Sequence, residues 1–348
     1  MRMRSSIVAL VAVGVMGALP FTTFGDVPPF IQPGALGGGV TLLPNGWKIA
    51  PAGQHVQVGS FPLAMVESPD GRYLFVTNNG YLKPSITVVD IKARRVTDTL
   101  VLDHAWLGLA WHPDGKRLYA SGAGNSTVHE LRWERRQLPP PAPEEGVTPS
   151  ETKAPPVFAM RLTRGDDLVL GRPMPVPAPG TNRPEPVPQS FIGGIAVSPD
   201  GSRLFAVHVL GQLVSAVDLK TGHVLRSIGL PAEPYTCLVS ADGTTLFVSL
   251  WGGAKVLMFD AWSLDPKGEF AVGEHPNAMA LTRDGKRLFV ACANTNAVWV
   301  VDVARRQAIE QVKVSIYPDA PPGSTPNSVS LSADERRLLV ANADNVRP

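Results

Sequence analysis

His104, Glu233 and His275 are the residues of this chain best suited to moving a proton. An imidazole titrates near neutral pH, and a carboxylate beside it can take or return the proton. His104 and His275 each stand a few residues ahead of a segment that opens with a small residue and continues apolar, Gly108-Leu109 and Ala278-Met279. Glu233 and Tyr235 hold the same place ahead of Thr236-Cys237. Trp106 sets an aromatic surface close to His104, while Asn277 and Asn327 put a carboxamide directly before Ala278 and Ser328. Each of these types also has a plainer use. A histidine can simply be solvated, an asparagine can cap its own backbone past a strand end, and an aromatic can pack with its polar tip in water. Sequence alone leaves both uses open.

Several chemistries lack their residues. The seven histidines fall at positions 55, 104, 112, 129, 208, 223 and 275, with no HxH, HExxH or Cys-His spacing that would hold zinc. There is no CxxCH for a covalent haem, no GxSxG elbow and no P-loop. Repeated Asp-Gly turns supply one carboxylate each, too few for a calcium site built from six oxygens. No metal and no cofactor is expected. Cys237 falls in an apolar column and Cys292 at the end of a strand, so both are expected as separate core thiols without a disulfide.

The elements that must position the candidates are repeats. SPDGRYLFV from Ser68 returns as HPDGKRLYA from His112, SPDGSRLFA from Ser198, SADGTTLFV from Ser240, TRDGKRLFV from Thr282 and SADERRLLV from Ser332. The turn aspartates, Asp70, Asp114, Asp200, Asp242, Asp284 and Asp334, are spaced by 44, 86, 42, 42 and 50 residues. Forty-odd residues suit one four-stranded propeller blade, which cannot bury both faces alone and therefore needs neighbours.

Column by column, the copies read as strands covered on both sides. Four residues after each aspartate stands Leu (Leu74, Leu118, Leu204, Leu246, Leu288, Leu338), followed by Phe75, Tyr119, Phe205, Phe247, Phe289 and Leu339. Adjacent residues of a strand point to opposite faces, so two apolar columns side by side mean two buried faces. Six residues before the aspartate the column is small: Ala64, Gly108, Gly194, Thr236, Ala278, Ser328. Small side chains suit innermost strands that crowd one another at an axis. Third strands follow at ITVVDI from Ile86, LVSAVDL from Leu213, KVLMFDA from Lys255 and AVWVVDV from Ala297. Asp90, Asp218, Asp260 and Asp302 close them, with Arg132 in that place in the second copy.

Of the 348 residues, 44% are hydrophobic and 18% charged, with a formal net charge of +2. That composition fits a packed β protein and gives no footprint for nucleic acid. Residues 1–25 differ: Arg2 and Arg4 precede an uncharged apolar run from Ile7 to Leu19, then Thr22, Thr23 and Gly25. This predicts a secretory signal peptide, and hence a periplasmic or secreted chain with no stable membrane anchor after cleavage. The β-propeller is expected over 26–348, with a Pro-rich insertion at 134–189. Fourteen of the 34 prolines lie between Pro139 and Pro188, where they remove ladder donors. Val157–Leu162 and Leu168–Leu170 are strand-like pieces that could continue the outer strand of the second blade; a degenerate extra blade is the alternative.

The repeat resembles the YVTN-type β-propeller repeat, SPDGxxLYVxN followed by a VxVID strand. LLPNGWKIAPAG from Leu42, VTNNGY from Val76, HAWLGLAW from His104, PPGSTPN from Pro321 and VANADN from Val340 look like the propeller half of exported bacterial propeller/alkaline-phosphatase-like phosphoesterase fusion proteins. The resemblance covers roughly residues 40–133 and 190–345. It implies an all-β propeller of four-stranded blades, seven in the family, with six recognisable repeat starts here and a truncated C-terminal end. It also implies a phosphoesterase partner domain whose metal-binding residues this chain does not contain. Two functions are therefore carried forward. The first is a non-catalytic binding or scaffolding module taking a small molecule or protein on the face that bears His104, Trp106, Glu233, Tyr235, His275, Asn277 and Asn327. The second is a lactonase-like hydrolase using His104, His275 and Glu233 as acid/base groups.

Overall fold

A computed structural model describes residues 32–44, 46, 48–50, 53–138, 157–171, 190–315, 317 and 320–343. The expected signal peptide and most of the Pro-rich stretch lie outside the described residues. The chain divides into an N-terminal unit ending at Gly53 and a larger unit over Gln54–Arg347. In the first, β1 (Gly34–Gly37), β2 (Val40–Leu42) and β3 (Lys48–Ile49) pair antiparallel in chain order.

Among the described residues the larger unit carries six antiparallel sheets, each a meander in which consecutive strands are neighbours. Sheet 1 holds β4 (Pro62–Glu67), β5 (Tyr73–Asn78), β6 (Ser85–Asp90) and β7 (Arg95–Val101). Sheet 2 holds β8 (Leu109–Trp111), β9 (Arg117–Ser121), β10 (Thr127–Gln137) and β11 (Phe158–Val169). Sheet 3 holds β12 (Ile192–Val197), β13 (Arg203–His208), β14 (Leu213–Asp218) and β15 (Val224–Gly229). Sheet 4 holds β16 (Pro234–Val239), β17 (Thr245–Leu250), β18 (Lys255–Asp260) and β19 (Pro266–Ala271). Sheet 5 holds β20 (Pro276–Leu281), β21 (Arg287–Cys292), β22 (Ala297–Asp302) and β23 (Gln307–Lys313). In sheet 6 the described strands are β24 (Pro326–Leu331) and β25 (Leu338–Asn342).

The recurring tetrad builds the turn between first and second strands. Ser68 Oγ donates to Asp70 Oδ1 at 2.6 Å and accepts the Tyr73 N–H at 3.0 Å, while Asp70 Oδ1 accepts the Arg72 N–H at 3.2 Å. Ser198, Ser240, Thr282 and Ser332 repeat this with Asp200, Asp242, Asp284 and Asp334. The donated hydroxyl hydrogen bond holds these carboxyls below their ordinary range, Asp200 at about 2. Gly71 turns the corner at φ 69°, a left-handed value that glycine adopts without steric cost. In sheet 2 His112 replaces the serine. Its Nδ1 accepts the Asp114 N–H at 3.1 Å, and Nε2 reaches Gly201 O of the next turn at 3.0 Å.

The small column has a specific cause. In sheets 1, 3, 4, 5 and 6 the first strand carries a one-residue bulge there: Pro62↔Asn78 is followed by Met65↔Val76, and Pro234↔Leu250 by Cys237↔Val248. A bulge leaves a backbone N–H without a ladder partner. In sheets 1 and 4 a hydroxyl of the second strand supplies one: the Ala64 N–H donates to Thr77 Oγ1 at 3.1 Å and the Thr236 N–H to Ser249 Oγ at 3.2 Å; in sheet 2 the Gly108 N–H, just ahead of β8, donates to Ser121 Oγ at 3.0 Å in the same way. The first strands also approach one another in chain order, β4 with β8, β8 with β12, β12 with β16, β16 with β20 and β20 with β24. A side chain on Gly108 would stand 2.6 Å from Gly193 O.

Between sheets, the aromatic column of one packs on the Leu column of the next. Phe75, Ile86 and Val88 meet Leu118, Ala120, Leu131 and Trp133. Tyr119 and Val128 meet Ile195 and Leu204, Phe205 meets Cys237 and Leu246, and Phe247 meets Leu288 and Val290. The rule fails at the two ends of the array. Met65 is 66% exposed although its counterparts Ile195 and Cys237 are buried, and Leu339 is 58% exposed although Phe75 and Phe205 are fully covered.

The interval between Asp114 and Asp200 holds β9, β10, β11 and β12, the same complement of strands as the shorter intervals. The two strand-like pieces belong to a continuous β11, paired with β10 from Thr127↔Val169 to Gln137↔Phe158. Residues 134–137 lie in β10, inside the span read as insertion. Among the described residues no further sheet stands between β10 and β12. Cys237 and Cys292 are free and buried, and burial pushes both thiols up to about 12. No helix among the described residues is long and apolar enough to cross a membrane.

Candidate functional site

Because each Asp-Gly turn joins a first strand to its antiparallel second strand, the loops leading into first strands and those leaving second strands share the opposite end of the sheets. All seven candidate residues stand at that end, but they form separate groups.

The largest group runs across sheets 3 to 5. Gln212, in the turn after β13, donates through Nε2 to Glu233 Oε1 at 2.9 Å. The Glu233 side chain lies over Gly252, where a Cβ would collide with Oε2, and the Gly252 N–H donates to Glu233 O at 3.3 Å. Trp251, the residue before Gly252, stacks on His275 from the loop before β20, with centroids 4.0 Å apart and planes 19° from parallel. His275 holds φ 52°, and Trp251 is 42% exposed. Glu233 and His275 are therefore drawn into one ledge through Trp251 and Gly252. Tyr235, two residues after Glu233 on β16, is half-buried, and burial raises its phenol pKa.

Asn277 and Asn327 meet directly. Asn277 Nδ2 donates to Asn327 Oδ1 at 3.1 Å and to Pro326 O at 3.0 Å, while Asn277 O accepts from Ser249 Oγ at 3.0 Å. Asn277 is buried, and its side-chain amide and backbone carbonyl together tie sheets 4, 5 and 6. Asn296 bridges in a similar way, donating to Pro321 O at 2.8 Å and accepting the Gly323 and Ser324 N–H groups at 3.0 and 2.7 Å.

His104 and Trp106 sit with sheet 2. Trp106 packs edge-on against Phe191 at 5.2 Å. The His104 side chain is exposed, and its carbonyl lies 2.9 Å from Nε2 of the buried His129. His129 Nδ1 meets Asp167 at 2.8 Å, and Asp167 pairs with Arg164, which also reaches Asp103. Burial opposes ionisation of Asp167, but hydrogen bonds from His129 and Arg164 prevail and lower its pKa. Among the described residues no hydrogen bond or ion pair joins His104, Glu233 and His275.

Sequence reasoning missed Gln212 and the His129–Asp167 pair. Gln212 lies in a connection with no recurring column, and Asp167 sits on a strand hidden in Pro-rich surroundings. At the turn end of the sheets, exposed Trp262 is already covered by Arg203, whose guanidinium lies 3.6 Å above the ring. Trp251 has His275 as its one ring partner among the described residues, and no cation lies over it there.

Among the described residues no group of three or more His, Cys, Asp or Glu could hold a metal ion. The arrangement at the ledge can stack a flat apolar group and accept hydrogen bonds. Comparison with known proteins leaves the reading with the geometry, since no family model matches the chain and no curated protein matches it.

Proposed function

We propose that the chain is an exported YVTN-type β-propeller that acts as a non-catalytic binding module, the propeller part of a larger phosphoesterase-linked protein. One observation carries the binding reading: Gln212 bonds Glu233, Glu233 lies on Gly252, and the adjoining Trp251 stacks on His275, in one run along the loop end of sheets 3 to 5. The ring reading is supported by the fixed order in which first strands meet, and by the two uncovered apolar faces at Met65 and Leu339. Those faces are of the two kinds that pack together between interior sheets, so a further sheet between them would complete the pattern. Export rests on the charged and apolar pattern of residues 1–25. The hydrolase reading has less support, because its acid/base groups have separate partners.

Turnover assays on the purified mature chain with p-nitrophenyl phosphate and a γ-lactone test this reading. The expected result is no turnover above that of the His275→Ala and Glu233→Ala variants. Clear turnover that either variant abolishes would overturn it. Mass measurement of the exported chain, expected to begin just after Gly25, tests the leader.

A further inference from the structure

We infer that the Trp251 ledge is a saccharide subsite, in which the apolar face of a pyranose ring lies on the indole and ring hydroxyls donate to Glu233 and Gln212. This rests on the binding-module reading and adds the class of ligand. Three features of the ledge select that class.

The first is the ring. Trp251 keeps 42% of its surface exposed while His275 backs it at 4.0 Å, so the indole is held in one orientation before a ligand arrives. A platform that is already ordered costs less entropy to use. The C–H groups on one face of a pyranose match such a flat surface.

Polarity is the second feature. Gln212 Nε2 donates to Glu233 Oε1, leaving Gln212 Oε1 and Glu233 Oε2 without a side-chain or backbone donor among the described residues. Both unused atoms are acceptors, so the fitting ligand is rich in donors, as a polyol is. A nucleotide fits poorly, because the carboxylate repels phosphate. Lys255, at the start of the strand leaving this loop, is paired with Glu269 at 2.8 Å.

The third is the number of rings. A quaternary ammonium is recognised by several aromatic faces forming a cage. Here one indole is exposed and its only ring partner among the described residues is stacked nearly parallel to it, which makes a ledge and not a cage.

The test is calorimetric titration of the intact mature chain with β-1,4-linked glucose and N-acetylglucosamine tetrasaccharides, with choline and AMP as comparison ligands and Trp fluorescence as a second readout. At least one tetrasaccharide is expected to bind with Kd below about 1 mM. Trp251→Ala should weaken it by about tenfold or more, the size of a truncated aromatic anchor. Trp251→Phe should restore part of the loss and Glu233→Gln should weaken binding by a smaller factor, with thermal unfolding unchanged in all three. Failure of every saccharide to bind, or binding indifferent to Trp251→Ala and Glu233→Gln, overturns the proposal. If choline or AMP binds instead and Trp251→Ala abolishes it, the saccharide assignment falls while the binding module stands. Lactone turnover lost in His275→Ala would remove the module reading itself.

Discussion

A methyl group on Gly194 would stand 2.6 Å from the Cα of Thr236, closer than real side chains come to a neighbouring backbone. The two residues occupy the same column of consecutive repeats, on β12 and β16, so the small column records how closely first strands approach. Gly194→Ala should cost about 1–3 kcal/mol through overpacking against a backbone that cannot yield. Gly229, on the outer strand β15, has nothing within 4 Å of the same position. Gly229→Ala should be neutral or stabilise by up to about 1 kcal/mol. Thermal unfolding of the two variants separates them.

His208 should make the fold acid-sensitive. It is buried, with Nδ1 hydrogen-bonded to Ser190 and Nε2 2.9 Å from Ser215 Oγ, which continues to Ser227 Oγ at 2.7 Å. A neutral imidazole satisfies that chain by accepting at one nitrogen and donating at the other. Burial lowers its pKa from 6.5 to about 4. The folded value lies below the unfolded one, so the contribution is whole above the unfolded pKa and fades as pH falls towards the folded value. The loss across that window is about 3 kcal/mol. Urea unfolding at about pH 7 and about pH 4.5 should show most of this difference, and His208→Gln should flatten it.

The turn hydroxyls should set the acidity of their aspartates. Ser198 Oγ donates to Asp200, whose pKa lies at about 2, and accepts the Arg203 N–H at 3.0 Å. Ser198→Ala should move the Asp200 pKa upward towards its ordinary value, as read by NMR titration, and cost about 1 kcal/mol for the lost hydrogen bonds. A depressed carboxylate contributes stability above its unfolded pKa that is lost as pH falls through the folded one. The variant should therefore show a weaker dependence on pH in that acidic range.

Equivalent apolar positions should respond differently to charge. Met65→Lys should change stability by less than about 0.5 kcal/mol, because the site already faces solvent. Ile195→Lys places an unpaired charge between sheets 2 and 3 and should cost several kcal/mol, roughly the whole stability of a small domain. Circular dichroism on heating checks both.

Much of the fold was legible because its causes are local. The turn chemistry of Ser68 and Asp70 acts within five residues, and the Leu74-Phe75 step reports two covered faces through the two-residue period of a strand. The bulge beside Ala64 was not legible as such; only its small column was. β11 was read as two fragments because Thr163–Asp167 break the apolar pattern. Its pairing is held from a distance, by β10 and by the Leu162 N–H donating to Asp98 of sheet 1 at 2.7 Å.

The site divides in the same way. Sequence alone named Glu233, His275, Asn277 and Asn327, because residue type and distance from a repeat can be counted along the chain. Tertiary structure decided their partners: Gln212 for Glu233, Trp251 for His275, a structural bridge for Asn277. Those pairings join loops of different sheets, and which loops meet depends on the packing of whole sheets side by side. No short-range spacing carries that information, so a chain can spell its strands and turns plainly while its ledge becomes visible only after folding.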